Sequence, residues 1–141
     1  MKGFERPVRF EEIDAAGILF FARYLALCHD AMEAFFAPLP GGYHAIVNGG
    51  GVNEHGRGFP AVHVGCDYEA PLRYGDVAVI DVDVAHVGTT SCKFLYTIRR
   101  KRDGVVCARA EHVCVHTDMR TMTKLPFPPE LRAHLESALA R

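Results

Sequence analysis

The pattern of apolar and polar positions divides the chain near residue 59, where a helical period gives way to an alternating one. The start alternates briefly as Val8-Arg9-Phe10-Glu11, within a first predicted strand from Phe4 to Glu11. A turn built on Asp14, Ala15, Ala16 and Gly17 follows, and a helix is predicted from roughly Ala22 to Phe36. Tyr24, Leu25, Leu27, Cys28, Ala31, Met32, Phe35 and Phe36 leave only a narrow stripe at Arg23, Ala26, Asp30 and Glu33 for water. A helix apolar on most of its circumference is buried rather than laid on a surface. Pro38 and Pro40, backed by Gly41-Gly42, end it. Residues 37–58 read as a long loop carrying Gly49-Gly50-Gly51 and Gly56-Arg57-Gly58, with a short helical turn at His44 to Val47. Loops of this length in a compact domain are commonly functional.

From Phe59 the chain alternates. Val62, Val64, Cys66 and Tyr68 face one way and His63, Asp67 and Glu69 the other, a half-buried strand. Pro71-Leu72-Arg73-Tyr74-Gly75-Asp76 is a break. Val77 to Val87 is a long strand with Ile80, Val82 and Val84 opposite Asp81 and Asp83. Gly88 to Ser91 interrupts it, and Cys92, Phe94, Tyr96 and Ile98 then alternate with Lys93, Thr97 and Arg99. Asp103-Gly104 is a hairpin signal, with Val105 to Thr117 as the returning strand. Pro126 to Pro129 leads into a short helix ending near Ala140.

A strand, a buried helix and four or so antiparallel strands predict an α+β hotdog fold, a long antiparallel sheet wrapped around one central helix. One domain is expected over residues 1–141. The open sheet must have its edges covered, so a homo-oligomer, dimer or tetramer, is expected.

Composition narrows the function classes. The net charge of -1 argues against nucleic acid as a main partner. No apolar run approaches membrane-span length, and the N-terminal stretch lacks a signal-peptide core, so a cytoplasmic protein is expected. The five cysteines are scattered and contain no CxxC pair, which reads as reduced core thiols. His112 and His116 have HxxxH spacing, but on a strand that separates their side chains by roughly 13 Å. Neither a metal nor another cofactor is expected.

Asp14 is the candidate for chemistry, although a carboxylate before a helix is also a common cap. The stretch Phe10-Glu11-Glu12-Ile13-Asp14-Ala15-Ala16-Gly17-Ile18-Leu19-Phe20-Phe21, leading to Tyr24, resembles the signature of the 4-hydroxybenzoyl-CoA thioesterase-like hotdog family. The break from Pro71 to Asp76 is similar to that family's second landmark. The resemblance implies hydrolysis of an acyl-CoA thioester, with Asp14 as nucleophile or general base and the backbone N–H of Phe21 as oxyanion donor. General chemistry agrees: an ionised carboxylate is competent at neutral pH, and helix N-terminal N–H groups stabilise a developing oxyanion. Gly17 lets the loop turn tightly beside the substrate.

Gly17, Phe20, Tyr24, His29 and His63 are the candidate acyl pocket, suited to an aryl or short to medium-chain acyl group. In the 4-hydroxybenzoyl branch the position of His29 is acidic and receives the substrate hydroxyl. Gly88, Thr89, Thr90 and Ser91 fall where the family touches CoA, but without that branch's basic cluster. Arg99 to Arg102 is the one basic run, either a solvated hairpin tip or an attractor of the CoA nucleotide. Two competing readings remain: a non-catalytic acyl-CoA-binding module, which would not need Asp14, and a hydroxyacyl-thioester dehydratase, which would need a histidine ahead of the helix.

Overall fold

The computed structural model describes residues 1–48 and 56–140. Its elements in order are β1 (Phe4–Pro7), α1 (Arg23–Phe36), α2 (Gly42–Asn48), β2 (Arg57–Gly58), β3 (Ala61–Tyr68), β4 (Val77–Val87), β5 (Ser91–Arg100), β6 (Val106–Val115), β7 (Thr117–Asp118), β8 (Thr123–Lys124) and α3 (Pro129–Ser137). A five-stranded antiparallel sheet runs β1-β4-β5-β6-β3, and a small sheet runs β2-β7-β8. The long sheet wraps α1, which is the hotdog arrangement. No helix among the described residues is long and apolar enough to cross a membrane.

The alternating strands supply the sheet side of the core. Ile80, Val82 and Val84 of β4 lie opposite Ile98, Tyr96 and Phe94 of β5, and all six are buried. Tyr96 and Ile98 in turn face Ala110 and Ala108 of β6. The helix side is Tyr24, Leu27, Cys28, Ala31, Met32, Phe35 and Phe36. Phe35 and Phe36 meet Phe94 edge-on, with ring centroids 6.1 and 5.9 Å apart. His134 on α3 donates to the Phe35 carbonyl at 2.6 Å and so docks the last helix on the end of α1.

The first strand stops at Pro7 rather than running to Glu11. The cause is Glu12, a buried carboxylate gripped by both ends of the Arg6 guanidinium at 2.7 Å. The same carboxylate accepts the Arg9 N–H at 2.8 Å and draws residues Phe10–Glu12 into a 3-10 turn. The predicted loop over 37–58 contains a full helix, α2, and the short strand β2. Gly49-Gly50-Gly51 lies outside the described residues. The last helix ends at Ser137, slightly before the predicted Ala140.

The two edges of the sheet differ. The outer side of β4 is covered by β1, by Met1, which exchanges backbone hydrogen bonds with Val82, and by Ala138 and Ala140, which bond Val84. The outer side of β3 pairs with no strand among the described residues. The apolar face of β3 is also open: Val62 is 63% exposed, Val64 44% and Tyr68 48%. α1 adds Leu25 to this surface, at 40% exposed, where the periodicity predicted burial.

Candidate active site

Asp14 sits in a tight turn ahead of α1. Its backbone N–H bonds the Ile18 carbonyl at 2.9 Å, and its carbonyl accepts the Gly17 N–H at 3.0 Å. Gly17 has φ +79°, a left-handed conformation that glycine adopts without steric cost. The Asp14 side chain folds back on this turn. Oδ1 accepts the N–H of Ala16 at 2.8 Å and of Ile18 at 3.4 Å. Both bonds use the same oxygen, which leaves Oδ2 without a protein partner among the described residues. The carboxylate is therefore held by one oxygen and presented by the other.

The turn is pinned to the strand break. Leu19 donates its N–H to the Leu72 carbonyl at 2.7 Å, and Leu72 donates to the Tyr24 hydroxyl at 3.4 Å. Val8 bonds the Asp76 carbonyl at 2.9 Å. Asp76 is itself buried, which opposes its charge. The Arg73 N–H and the Arg102 guanidinium, each at 2.9 Å, outweigh that and hold the carboxyl below its ordinary range.

α1 begins at Arg23 with no side-chain cap on Ala22. Just before it, the Phe21 carbonyl accepts the Tyr68 hydroxyl from β3 at 2.7 Å, so the peptide bearing this carbonyl is anchored. Tyr68 is fixed in turn by Tyr24, whose ring meets it edge-on at 5.1 Å. Asp14, Phe21, Tyr24 and Tyr68, with Leu19 and Pro71, line one cavity of about 500 Å³. Its surface is mostly apolar, with Asp14 and Glu69 as the acidic groups.

Of the predicted site residues, this cavity unites Asp14, Phe21 and Tyr24. Gly17 forms the exposed apex of the Asp14 turn, and Phe20 is 41% exposed with its ring against Phe21 at 4.7 Å. His29 lines a second cavity of about 150 Å³, farther along α1. Its imidazole lies 3.7 Å from Glu33 and edge-on to Tyr43. His63 is exposed on β3 and bound to Glu111 at 2.8 Å, outside both cavities.

Gly88 to Ser91 closes the turn between β4 and β5. The Gly88 and Thr89 carbonyls accept Arg132 of α3, and Thr90 accepts the His116 N–H. This turn lies at the far end of β4 from the Asp14 loop. Eleven strand residues separate the two ends by about 35 Å.

The basic run is not a free positive patch. Arg99 pairs with Asp81, Arg100 with Asp103, Lys101 with Glu5 and Arg102 with Asp76, each at 2.8 or 2.9 Å.

Three residues that carry no site role in the sequence reading stand out. Tyr68 was visible there only as one apolar position of a strand. Tyr96 and His112 line the second cavity, and the Tyr96 hydroxyl lies 3.2 Å from His112 Nδ1. A diagonal contact across two strands becomes visible only once register is known. Neither Cys28 nor Cys114 competes with Asp14 as a nucleophile, because burial pushes both thiols up to about 12.

A carboxylate on a glycine turn, an uncapped helix start and an apolar cavity inside a hotdog fold define the class of thioester hydrolases. The chain belongs to the thioesterase-like superfamily, whose family model matches residues 8–135. It is 30% identical over 123 residues to a 1,4-dihydroxy-2-naphthoyl-CoA hydrolase of Synechococcus elongatus, covering 87% of this chain and 88% of the relative. A crystal structure of a 1,4-dihydroxy-2-naphthoyl-CoA thioesterase from Synechocystis superposes with TM-score 0.83 at 22% identity, covering 95% of this chain and 94% of that one. The structure of a gentisyl-coenzyme A thioesterase superposes with TM-score 0.79 at 24% identity, covering 95% of this chain and 99% of that one.

Proposed function

We propose that this chain, as one domain, hydrolyses a small aryl or short to medium-chain acyl-CoA to the free acid and CoA, with Asp14 as nucleophile or general base. One observation carries the reading: Asp14, with one carboxylate oxygen unpartnered among the described residues, lines an apolar cavity that it shares with Phe21, just ahead of α1. The relative and the structural neighbours named above, which carry the names of aryl-CoA hydrolases, support the aryl preference.

The chemistry balances in either form. As nucleophile, Oδ2 attacks the thioester carbonyl, the C–S bond breaks, and CoA leaves as thiolate. Water then cleaves the mixed anhydride, restores the carboxylate and supplies the thiol proton. As general base, Asp14 takes a proton from water as the water oxygen attacks the carbonyl. That proton passes to the departing sulfur. Both routes pass through an oxyanion, and the Phe21 N–H at the uncapped start of α1 is the proposed donor to it. Tyr68, through the Phe21 carbonyl, acts as a positioning residue.

The working unit is a homo-oligomer, dimer or tetramer. The bare edge of β3 and the exposed Val62, Val64, Tyr68 and Leu25 beside it offer a second copy both backbone pairing and apolar contact. If Gly88 to Ser91 contacts CoA, a second chain must bring that turn to the Asp14 cavity, because one chain holds them at opposite ends of β4. A dehydratase role is disfavoured, since no histidine among the described residues lines the Asp14 cavity.

The test is Asp14→Asn, assayed by thiol release over a panel of acyl-CoAs. The amide oxygen can still accept the Ala16 N–H, so the turn and the melting temperature should persist. kcat should fall at least about 100-fold. A folded variant with near-normal turnover would remove Asp14 from the chemistry. A wild-type protein that binds acyl-CoA without releasing thiol would support the binding-module alternative.

A further inference from the structure

The second cavity, of about 150 Å³, is lined from α1 and β3, as the Asp14 cavity is, but by different residues of each. On the helix, Tyr24 faces the first and Cys28 the second, about 6 Å farther along. On the strand, Tyr68 faces the first and Val64 the second. The space exists because Ala110 stands opposite Tyr96 in the strand register, a methyl group where a larger side chain would fill the core. An apolar cavity of this size holds one benzene ring. This cavity has a polar wall as well. His112 Nδ1 lies 3.2 Å from the Tyr96 hydroxyl, and its Nε2 lies 3.0 Å from the Cys114 sulfur.

The three side chains form a relay with two settings. Burial holds His112 below its ordinary range, so its ring is neutral and carries a single N–H. Burial likewise keeps Cys114 a thiol. In one setting Cys114 donates to Nε2, Nδ1–H donates to Tyr96, and the tyrosine hydrogen is free to point into the cavity. In the other, Tyr96 donates to Nδ1 and keeps its lone pairs for a donor in the cavity. Either way the Tyr96 oxygen keeps a hydrogen-bonding position unfilled among the described residues, and Tyr96 lines the ring-sized space. A hydroxyl on an aromatic ring both donates and accepts, so it satisfies both settings. A bare phenyl group would bury that position unpaired, which is costly.

We propose that Tyr96, set by His112 and Cys114, is the specificity-determining residue that reads a ring hydroxyl of the acyl group. This rests on the thioesterase reading above and adds to it the chemistry of the acyl group and the residues that select it. His29 lines the same cavity without belonging to the relay.

The experiment compares 2-, 3- and 4-hydroxybenzoyl-CoA with benzoyl-CoA, using the wild-type protein and Tyr96→Phe. The wild type should favour at least one hydroxylated substrate in kcat/KM. Tyr96→Phe should lower that preference about 10-fold or more, chiefly through KM. Cys114→Ala should lower it less, and Cys114→Ser, which keeps a donor, should retain it. An equal loss on all substrates, or an unchanged preference in Tyr96→Phe, overturns the assignment. A measurement on the unaltered protein is independent of folding defects: the hydroxybenzoate matching the favoured substrate should inhibit more tightly than benzoate, and equal inhibition overturns the assignment. A wild type inert toward every thioester marks instead a failure of the thioesterase reading, and this assignment falls with it.

Discussion

Glu12 decides more local structure than any other single residue in the first half of the chain. Buried, and held by both guanidinium nitrogens of Arg6, it ends β1 and starts the loop that carries Asp14. Its hydrogen bonds to Arg6, against burial, keep its carboxyl below the ordinary range. A carboxyl lowered in the folded state stabilises it above the unfolded value, near 4.3, and loses that contribution as pH falls through the folded value. Glu12→Gln should therefore cost about 2 kcal/mol at pH 7. Its melting temperature should also fall less steeply than the wild type's on acidification below about pH 4. Some slope should remain, because Asp76 and Asp81 are lowered too. A variant with the same acid slope as the wild type would show that Glu12 does not report through this pair. None of this could be read from the sequence, where Glu12 is one of two adjacent acids and nothing marks the buried one.

The elements divide by how strongly their periods spoke. α1 and β4 to β6 were legible because each has a long repeat with one closed face. The sheet of β2, β7 and β8 was not, because two-residue strands carry no period. The lining of the Asp14 cavity was legible at Asp14, Phe21 and Tyr24, which one short local motif holds together. It was not legible at His29 and His63, whose places depend on how helix and strand meet in space. The basic hairpin illustrates the same limit, since apart from Asp103 in its own turn its acidic partners come from β1, β4 and the strand break. With each cation locally matched, neutralising Arg99 and Lys101 together should leave kcat/KM for acyl-CoA and its salt dependence nearly unchanged. A loss confined to low ionic strength would instead restore a steering role for this run.

For the whole molecule, the edge of β3, which pairs with no strand among the described residues, is the feature on which the proposed assembly rests. Light scattering at micromolar concentration should give a dimer or tetramer, and a monomer would contradict the proposed assembly. The two sheet edges also impose an order on the making of the molecule. β1 is synthesised before its partner β4, and Met1 must wait for Val82. α1 leaves the ribosome well before β4 to β6, the strands that will enclose it. From the end of α1 to the end of β6 is roughly 80 residues, about 4 to 16 s of translation. Through that interval the central helix of the fold has no sheet to cover it. Its shelter must come from the nascent chain itself or from the cell's chaperones.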